Sequence, residues 1–334
     1  MPNKSFLISH FSSLIGKKNL LAFSAGIDSS ALFFLLIQNN INFDIALVNY
    51  GTRTNSDKEE AHAKVLAKKY NLTCYTIKAP KYTTNFEKNA RDFRYDFFED
   101  LIEKYNYDNL LTAHQLNDQL EWLLMRLTKG AGTSELIGLE PLSHRKNYVL
   151  LRPLLEYSKD ELLEYLNVNN YPYFIDESNS DEKYERNRFR KEFSDPLITQ
   201  YRDGIRRSFK YLRKDKEHLE KEFETIYAEK ELRVIELHSA IAKVKAVDLT
   251  LKELGYLLSA PQRKEIEGKN SLVIGGKWAI ELQDDRLYIS PHLTSNMPKK
   301  FKEQCRVLKL PSKIRPYCFM NEIDIYSLGN LQCH

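Results

Sequence analysis

Six residues, Ser24-Ala25-Gly26-Ile27-Asp28-Ser29, lie between an apolar run (Leu20 to Phe23) and an apolar helical pattern (Ser30 to Gln38), and their chemistry is that of a phosphate cradle. At a strand-to-helix junction the first helical N–H groups have no partner inside the helix, so they and the helix dipole favour an anion against the turn. Gly26 lets the main chain come close, and the hydroxyls of Ser24 and Ser29 can donate to phosphate oxygens. Asp28, badly placed to touch an anion directly, suits a magnesium ion. Neither a Walker-type Gly-Lys-Ser/Thr nor a Gly-x-Gly-x-x-Gly string occurs. A plain helix cap is the alternative reading, because Asp28 and Ser29 are also good N-cap residues. Ala25 fits the turn if its φ is negative, since positive φ is what demands glycine.

A second constellation follows a later apolar run: His114, then Asn117, Asp118 and Glu121 at the start of a helical pattern whose Leu120, Leu123, Leu124 and Leu127 form an apolar stripe. Three residues apart, Asp118 and Glu121 share a helix face, and paired carboxylates beside a nucleotide can bind an ammonium group or take its proton. The alternative is an Asn117 N-cap followed by first-turn acids that satisfy the dipole.

The elements that would position these residues alternate from Asn19 to about Asn167. Strands are expected at Leu20 to Phe23, Ile45 to Asn49, Thr73 to Ile77, Leu110 to Thr112 and Val149 to Arg152, with helices near Ser29 to Gln38, Asp57 to Tyr70, Phe86 to Asn106 and Asp118 to Thr128. This is the pattern of an α/β fold with a doubly wound, mostly parallel, Rossmann-like sheet, which binds ligands at the carboxyl ends of its strands. Beyond Gly204 a charged, glycine-poor stretch reads as helical to about Leu258. Strands then return at Leu272 to Gly275, Trp278 to Leu282 and Arg286 to Ile289 around tight turns at Gly275-Gly276 and Asp284-Asp285. The expected division is a catalytic domain over 1–205 and a smaller helical or α+β region over 206–334.

At 334 residues the chain is long enough for two or three domains with a real core. Its four cysteines (Cys74, Cys305, Cys318, Cys333) form no Cys-x-x-Cys pair, so neither a zinc site nor a disulfide framework is indicated. No stretch approaches membrane-spanning length, and the expectation is a cytoplasmic protein. Net charge is only +4, but Lys183 to Lys221 holds thirteen Lys/Arg against seven Asp/Glu, interleaved with Tyr184, Phe189, Phe193, Tyr201, Phe209 and Tyr211. Such a strip could track a phosphate backbone. After Arg213 the alternating Lys and Glu read instead as a solvated helix. A second basic stretch, Lys299 to Arg315, has seven Lys/Arg and one Glu.

The Ser-x-Gly-x-Asp-Ser string resembles the PP-loop of the ATP pyrophosphatases, which split ATP into AMP and pyrophosphate. The full set of blocks is similar to the bacterial tRNA(Ile)-lysidine synthetases. His114-x-x-Asn117-Asp118-Gln119-x-Glu121-Trp122 resembles their His-x-x-Asp-Asp-Gln-x-Glu-Thr. Asn49-Tyr50-Gly51-Thr52-Arg53 resembles a His-His-Gly-Leu-Arg loop, and Ala90-Arg91-x-x-Arg94-Tyr95 an Ala-Arg-x-x-Arg-Tyr helix. The run Asp176-x-Ser178-Asn179-x-Asp181-x-x-Tyr184-x-Arg186-Asn187-Arg188-x-Arg190, preceded by Leu151-Arg152-Pro153-Leu154-Leu155, is similar to a further family element. Ala25, Asn117, Trp122 and Tyr50-Gly51-Thr52 depart from the family strings.

The resemblance implies ligation of free L-lysine to C2 of the wobble cytidine of tRNA(Ile) with a CAU anticodon, with ATP and Mg2+ as cofactors and an adenylated tRNA intermediate. It implies ATP binding by Ser24, Ala25, Gly26, Ile27, Asp28, Ser29 and His114, with Asp28 on the metal. Asp118, Glu121 and Arg186 would take the lysine. Arg91 and Arg94 would stabilise charge during adenylation, and Arg186 or Arg188 would face a phosphate or the substrate carboxylate. The Lys300 to Tyr317 tail weakly resembles the family's tRNA-contacting region. A homodimer is compatible with the sequence. The alternative within the superfamily is a tRNA thiolation enzyme, which normally needs cysteine chemistry that this chain lacks.

Overall fold

The computed structural model describes residues 11–51, 55–82, 84–175 and 185–330. Two compact units divide the chain, one ending at Arg213 and the other beginning at Lys214. In the first, the sequence alternates β1 (Asn19–Ala22), α1 (Ile27–Gln38), β2 (Phe43–Asn49), α2 (Ser56–Lys69), β3 (Cys74–Lys78), α3 (Phe86–Tyr105), β4 (Asn109–Leu111) and α4 (Leu116–Leu127). There follow α5 (Thr133–Ile137), β5 (Leu142–His144), β6 (Val149–Leu151), α6 (Lys159–Val168), α7 (Glu185–Phe189), a π-helical turn at Arg190–Ser194 and α8 (Asp195–Glu220). The six strands lie in the order β3-β2-β1-β4-β6-β5, all parallel except the antiparallel edge strand β5.

Central strands of such a sheet are covered on both faces and must be apolar throughout. Leu20, Leu21, Leu110 and Leu111 meet that demand and are fully buried. On one face α1, α2 and α6 pack through Leu32, Phe33, Leu66, Leu162 and Leu166. On the other, α3 packs through Phe98, Leu101 and Ile102. Phe33 is the pivot of the first layer, its ring centroid 5.1 to 5.6 Å from those of Phe23, Phe34, Phe43 and Tyr70. That packing fixes α1 against β1 and so fixes where its N-terminus points.

Strand order reverses between β1 and β4, whose neighbours lie on opposite sides. This switch point opens a crevice at the carboxyl ends, flanked by Ser24 after β1 and His114 after β4. The edge pair β5–β6 and helix α6 extend the sheet region beyond what the hydrophobic pattern indicated.

The second unit folds around a five-stranded antiparallel sheet of order β7-β8-β11-β10-β9. Its strands are β7 (Phe223–Glu229), β8 (Leu232–Leu237), β9 (Ser271–Ile274), β10 (Trp278–Gln283) and β11 (Arg286–Pro291). Its helices are α9 (Ala242–Glu253), α10 (Ala260–Gly268), α11 (Lys299–Val307), α12 (Arg315–Met320) and α13 (Ile325–Asn330). Helix to Leu258 is therefore corrected: α8 stops at Glu220 and two strands follow. Thr225, Ile226 and Tyr227 face Val234 and Ile235 across a hairpin turned at Lys230, φ +50°. β-Branched and aromatic residues that bury on a pleated surface override the charge spacing. The turns at Gly275-Gly276 and Asp284 do carry positive φ, +56°, +67° and +53°. Among the described residues no helix is long and apolar enough to cross a membrane.

Phe33→Ala should cost about 3–5 kcal/mol through the cavity it leaves among four rings, read as a lowered urea midpoint.

Candidate active site

Helix α1 begins at the crevice without any side-chain cap on its first N–H groups, which leaves them available to an anion. Ser24 and Ser29 are pre-set beside it. Their hydroxyls are 3.1 Å apart, the Ser24 N–H reaches Ser29 Oγ at 3.2 Å, and Ser29 Oγ donates to the Gly26 carbonyl at 3.2 Å. Gly26 itself is extended (φ −74°, ψ 173°), and a Cβ there would only touch Ser24 Oγ at 3.5 Å. Its smallness therefore serves close approach of a ligand rather than backbone conformation.

Ala25 is the correction. Its φ is +59°, in the left-handed region, and its side chain is fully buried. For an alanine this conformation costs roughly 1–2 kcal/mol. A tertiary contact holds it there: the Phe174 N–H donates to the Ala25 carbonyl at 2.9 Å, and Gly26 pairs with Phe174 in a parallel bridge. The Phe174 ring is braced by His62, centroids 5.3 Å apart.

A cleft of about 220 Å³ is lined by Ser24, Asp28, Ser29, Tyr50, Arg94 and His114, among others. Asp28 Oδ1 is buried there without a hydrogen-bond partner. Burial first, and the negative charge of Asp118 second, push its carboxyl from 3.8 up to about 7. An orphaned carboxylate oxygen aimed at a phosphate-binding turn fits a divalent cation that takes one protein ligand and completes its shell from phosphates and water. Among the described residues no group of three His, Cys, Asp or Glu could hold a metal by itself. The His114 ring is held by Thr112, Nδ1 to Oγ1 3.0 Å, and burial pushes its pKa down to about 4. It is a neutral imidazole at physiological pH.

Helix α4 starts at Leu116 with Gln115 as N-cap, one turn of chain earlier in role than the expected Asn117 cap. The Gln115 side chain accepts from the Asn117 N–H at 2.7 Å, and Asp118 Oδ2 accepts from the Gln115 N–H at 3.0 Å. Asp118 and Glu121 do share a face, and two arginines meet them. Arg186 Nη2 and Arg190 Nη2 each lie 3.2 Å from Asp118 Oδ1. Arg186 Nε donates to Glu121 Oε1, and Arg190 Nε to Glu121 Oε2 at 2.9 Å. The carboxylate side chains are 10% and 2% exposed, Arg190 20% and Arg186 44%. Burial raises the Glu121 pKa beyond what the arginines restore. At Asp118 burial is outweighed by a protonated His114, Arg186 and Arg190, which hold its carboxyl below the usual range.

Arg190 belonged to a recognised block but was assigned no role. It heads a π turn, a distortion common at functional sites, which periodicity does not reveal. Lys159, whose charge acts on Asp28, also went unassigned, although the capping box Ser158 to Glu161 that seats it was a readable signal. Arg94 lines the cleft, whereas Arg91 is exposed with its guanidinium 5.1 Å from the Tyr95 ring centroid. Arg188 is exposed. Thr52, Arg53, Asp176, Ser178, Asn179, Asp181 and Tyr184 lie outside the described residues.

Two departures from the family strings have structural occupations. The Asn117 amide donates to Asp195 Oδ1 at 2.7 Å while its oxygen accepts the Lys159 N–H at 3.2 Å. An aspartate here would face Asp195 instead. The Trp122 indole donates to the Glu135 carbonyl at 2.9 Å and covers Gly138 (φ +55°), where a Cβ would come within 1.8 Å of the ring nitrogen.

An uncapped helix N-terminus at the switch point of a parallel sheet, with an orphaned aspartate beside it, defines an ATP-binding α/β domain of the PP-loop class, and a family model for the PP-loop domain matches residues 6–197. A tRNA(Ile)-lysidine synthase of Campylobacter jejuni (strain RM1221) is 46% identical over 313 residues, covering 93% of this chain and 95% of that protein. Proteins of the same name from Wolinella succinogenes and Helicobacter pylori (strain ATCC 700392 / 26695) are each 42% identical, over 92% and 93% of this chain and 94% and 92% of theirs. The chain belongs to the tRNA(Ile)-lysidine synthase family.

Two measurements check this geometry. Ala25→Gly should leave stability unchanged or raise it by up to about 1 kcal/mol, because relief of the left-handed strain offsets the added unfolded-state entropy; at negative φ the same change would cost about 1 kcal/mol. Asp28 binds its proton more tightly folded than unfolded, so it contributes stability at acid pH that is lost as pH rises from about 4 through about 7. Asp28→Asn should therefore raise the ligand-free Tm above pH 7 and flatten its decline between those limits.

Proposed function

We propose that the protein joins L-lysine to C2 of the wobble cytidine of tRNA(Ile) with a CAU anticodon, consuming ATP and releasing AMP and pyrophosphate. The observation that carries this reading is the adjacency of an open phosphate-binding turn and a buried carboxylate pair able to receive an ammonium group. Cytosine C2 is a poor electrophile because its oxygen leaves badly, and joining that oxygen to AMP supplies a good leaving group. Ser24, Gly26, Ser29 and the first N–H groups of α1 would hold the triphosphate, with Asp28 on Mg2+; the ion would neutralise charge on the departing pyrophosphate. Arg94, in the cleft, is the better placed of the two helix arginines to meet charge at the α-phosphate. Neutral His114 offers a hydrogen bond without adding charge.

Lysine would displace Arg186, the more exposed arginine, from the carboxylates and present its own α-carboxylate to that guanidinium, whose fork pairs two oxygens at once. Glu121, raised by burial, is the better acceptor for the ammonium proton, and Asp118, held ionised, the better anchor. Sulfur transfer fits less well. Cys74, the cysteine of the first unit, has its thiol pushed up to about 11 by burial, away from the reactive thiolate.

Asp118→Asn keeps an oxygen for the Gln115 cap but removes the charge. It should abolish lysine transfer while ATP-dependent adenylation of tRNA persists, scored by labelled lysine incorporation and by labelled AMP on an unmodified isoleucine transcript. Wild-type lysine incorporation in that variant would refute the assignment, and ADP in place of AMP would refute the reaction. A cytidine-to-uridine anticodon variant should accept no lysine.

A further inference from the structure

Helix α8 has two faces that differ in more than polarity. Inward lie Ile198 and Phe209, buried against Leu116 and Leu120 of α4 with Ile205 packed beside them. The arginines on that side are engaged. Arg206 reaches Glu161 Oε2 at 2.6 Å, and Arg213 Nη1 reaches Gln119 Oε1 at 3.0 Å. Outward, at helical spacing, lie Phe193, Tyr201 and Tyr211, exposed by 45%, 59% and 63%, with Leu197 between the first two. Arg207 is exposed on the same side. A helix whose outer face served only to meet water would place charged residues there, and a contiguous row of exposed aromatic rings marks a contact surface.

The rings begin beside the site. Phe193 shares the π turn headed by Arg190, the partner of Glu121, and its ring stands 5.4 Å from buried Phe189, which holds it in place. At 1.5 Å per residue the rings are spaced by roughly 12 and 15 Å, too far apart for one continuous apolar seam. The positions between them include Thr199, Gln200, Arg207 and Ser208, all exposed. Separated aromatic faces with a free guanidinium among them match unpaired bases and their phosphates: stacking tolerates every base and the cation takes the backbone. A second copy of the chain would instead need a continuous apolar patch.

We propose that the outer face of α8 is a stacking platform for unpaired nucleotides of the RNA substrate, with Phe193 and Tyr201 as the principal rings. It rests on the reading that the substrate is a tRNA. The test measures binding of labelled, unmodified isoleucine tRNA transcript to the full chain, alongside lysine incorporation and Tm. Phe193→Ala and Tyr201→Ala should each raise Kd by about tenfold with Tm and the salt slope unchanged, while Phe193→Trp and Tyr201→Phe should stay within roughly twofold of wild type. Arg207→Ala should reduce the salt slope by about one. A fully paired RNA hairpin should bind the alanine variants and wild type alike.

Alanine variants with wild-type Kd, in a wild-type protein that incorporates lysine, would overturn this proposal alone. So would a wild-type dimer in sedimentation that Tyr201→Ala converts to monomer, which would assign the face to a second copy. A wild-type protein that neither binds the transcript nor incorporates lysine would remove the functional reading and this proposal with it.

Discussion

The site depends on one backbone constraint: between β1 and α1 the chain must turn through a left-handed residue so that the helix presents bare N–H groups to the crevice. Here that residue is alanine, and the bend persists because the Phe174 strand segment bonds to it on one side while the packing of Phe33 holds the helix on the other. Neither contact touches a ligand. Both place the donors that would.

Across the crevice a different cost has been accepted. Two carboxylates and two guanidinium groups are packed together with little water, and such a cluster contributes little net stability because desolvation consumes most of the Coulombic gain. Its value is that the charges balance in the absence of substrate. Removing one arginine leaves a buried carboxylate uncompensated, which makes the cluster responsive to any incoming cation of matching size. The orphaned Asp28 oxygen is the opposite case, a charge left unbalanced and therefore disposed to bind either a proton or a metal.

The local parts of this arrangement were legible in the sequence. Ser24 to Ser29 and the Asp118–Glu121 pair announce themselves by residue type and by their position after apolar strands, and the alternation of those strands with helices gave the parallel sheet. What was hidden depends on contacts remote in the chain. The φ of Ala25 is set by Phe174, and the commitment of Asn117 by Asp195 and Lys159. The role of Arg190 depends on a π turn that no period of 3.6 announces. The β7–β8 hairpin was masked by Lys and Glu spaced as on a helix, although Val234 and Ile235 were the residues that decided its fold.

The wide turn at Arg190–Ser194 also makes the chain sensitive to length at that place. It holds one residue more than an α-turn would use, so losing any one of the five would restore ordinary pitch and swing everything downstream by about 100° about the helix axis. Ile198 and Phe209 would rotate out of their pocket beneath α4 and their outward neighbours would swing toward it. A single deleted codon there would do more damage than most amino-acid exchanges in the same stretch, even though none of the lost atoms need come from a residue that meets substrate.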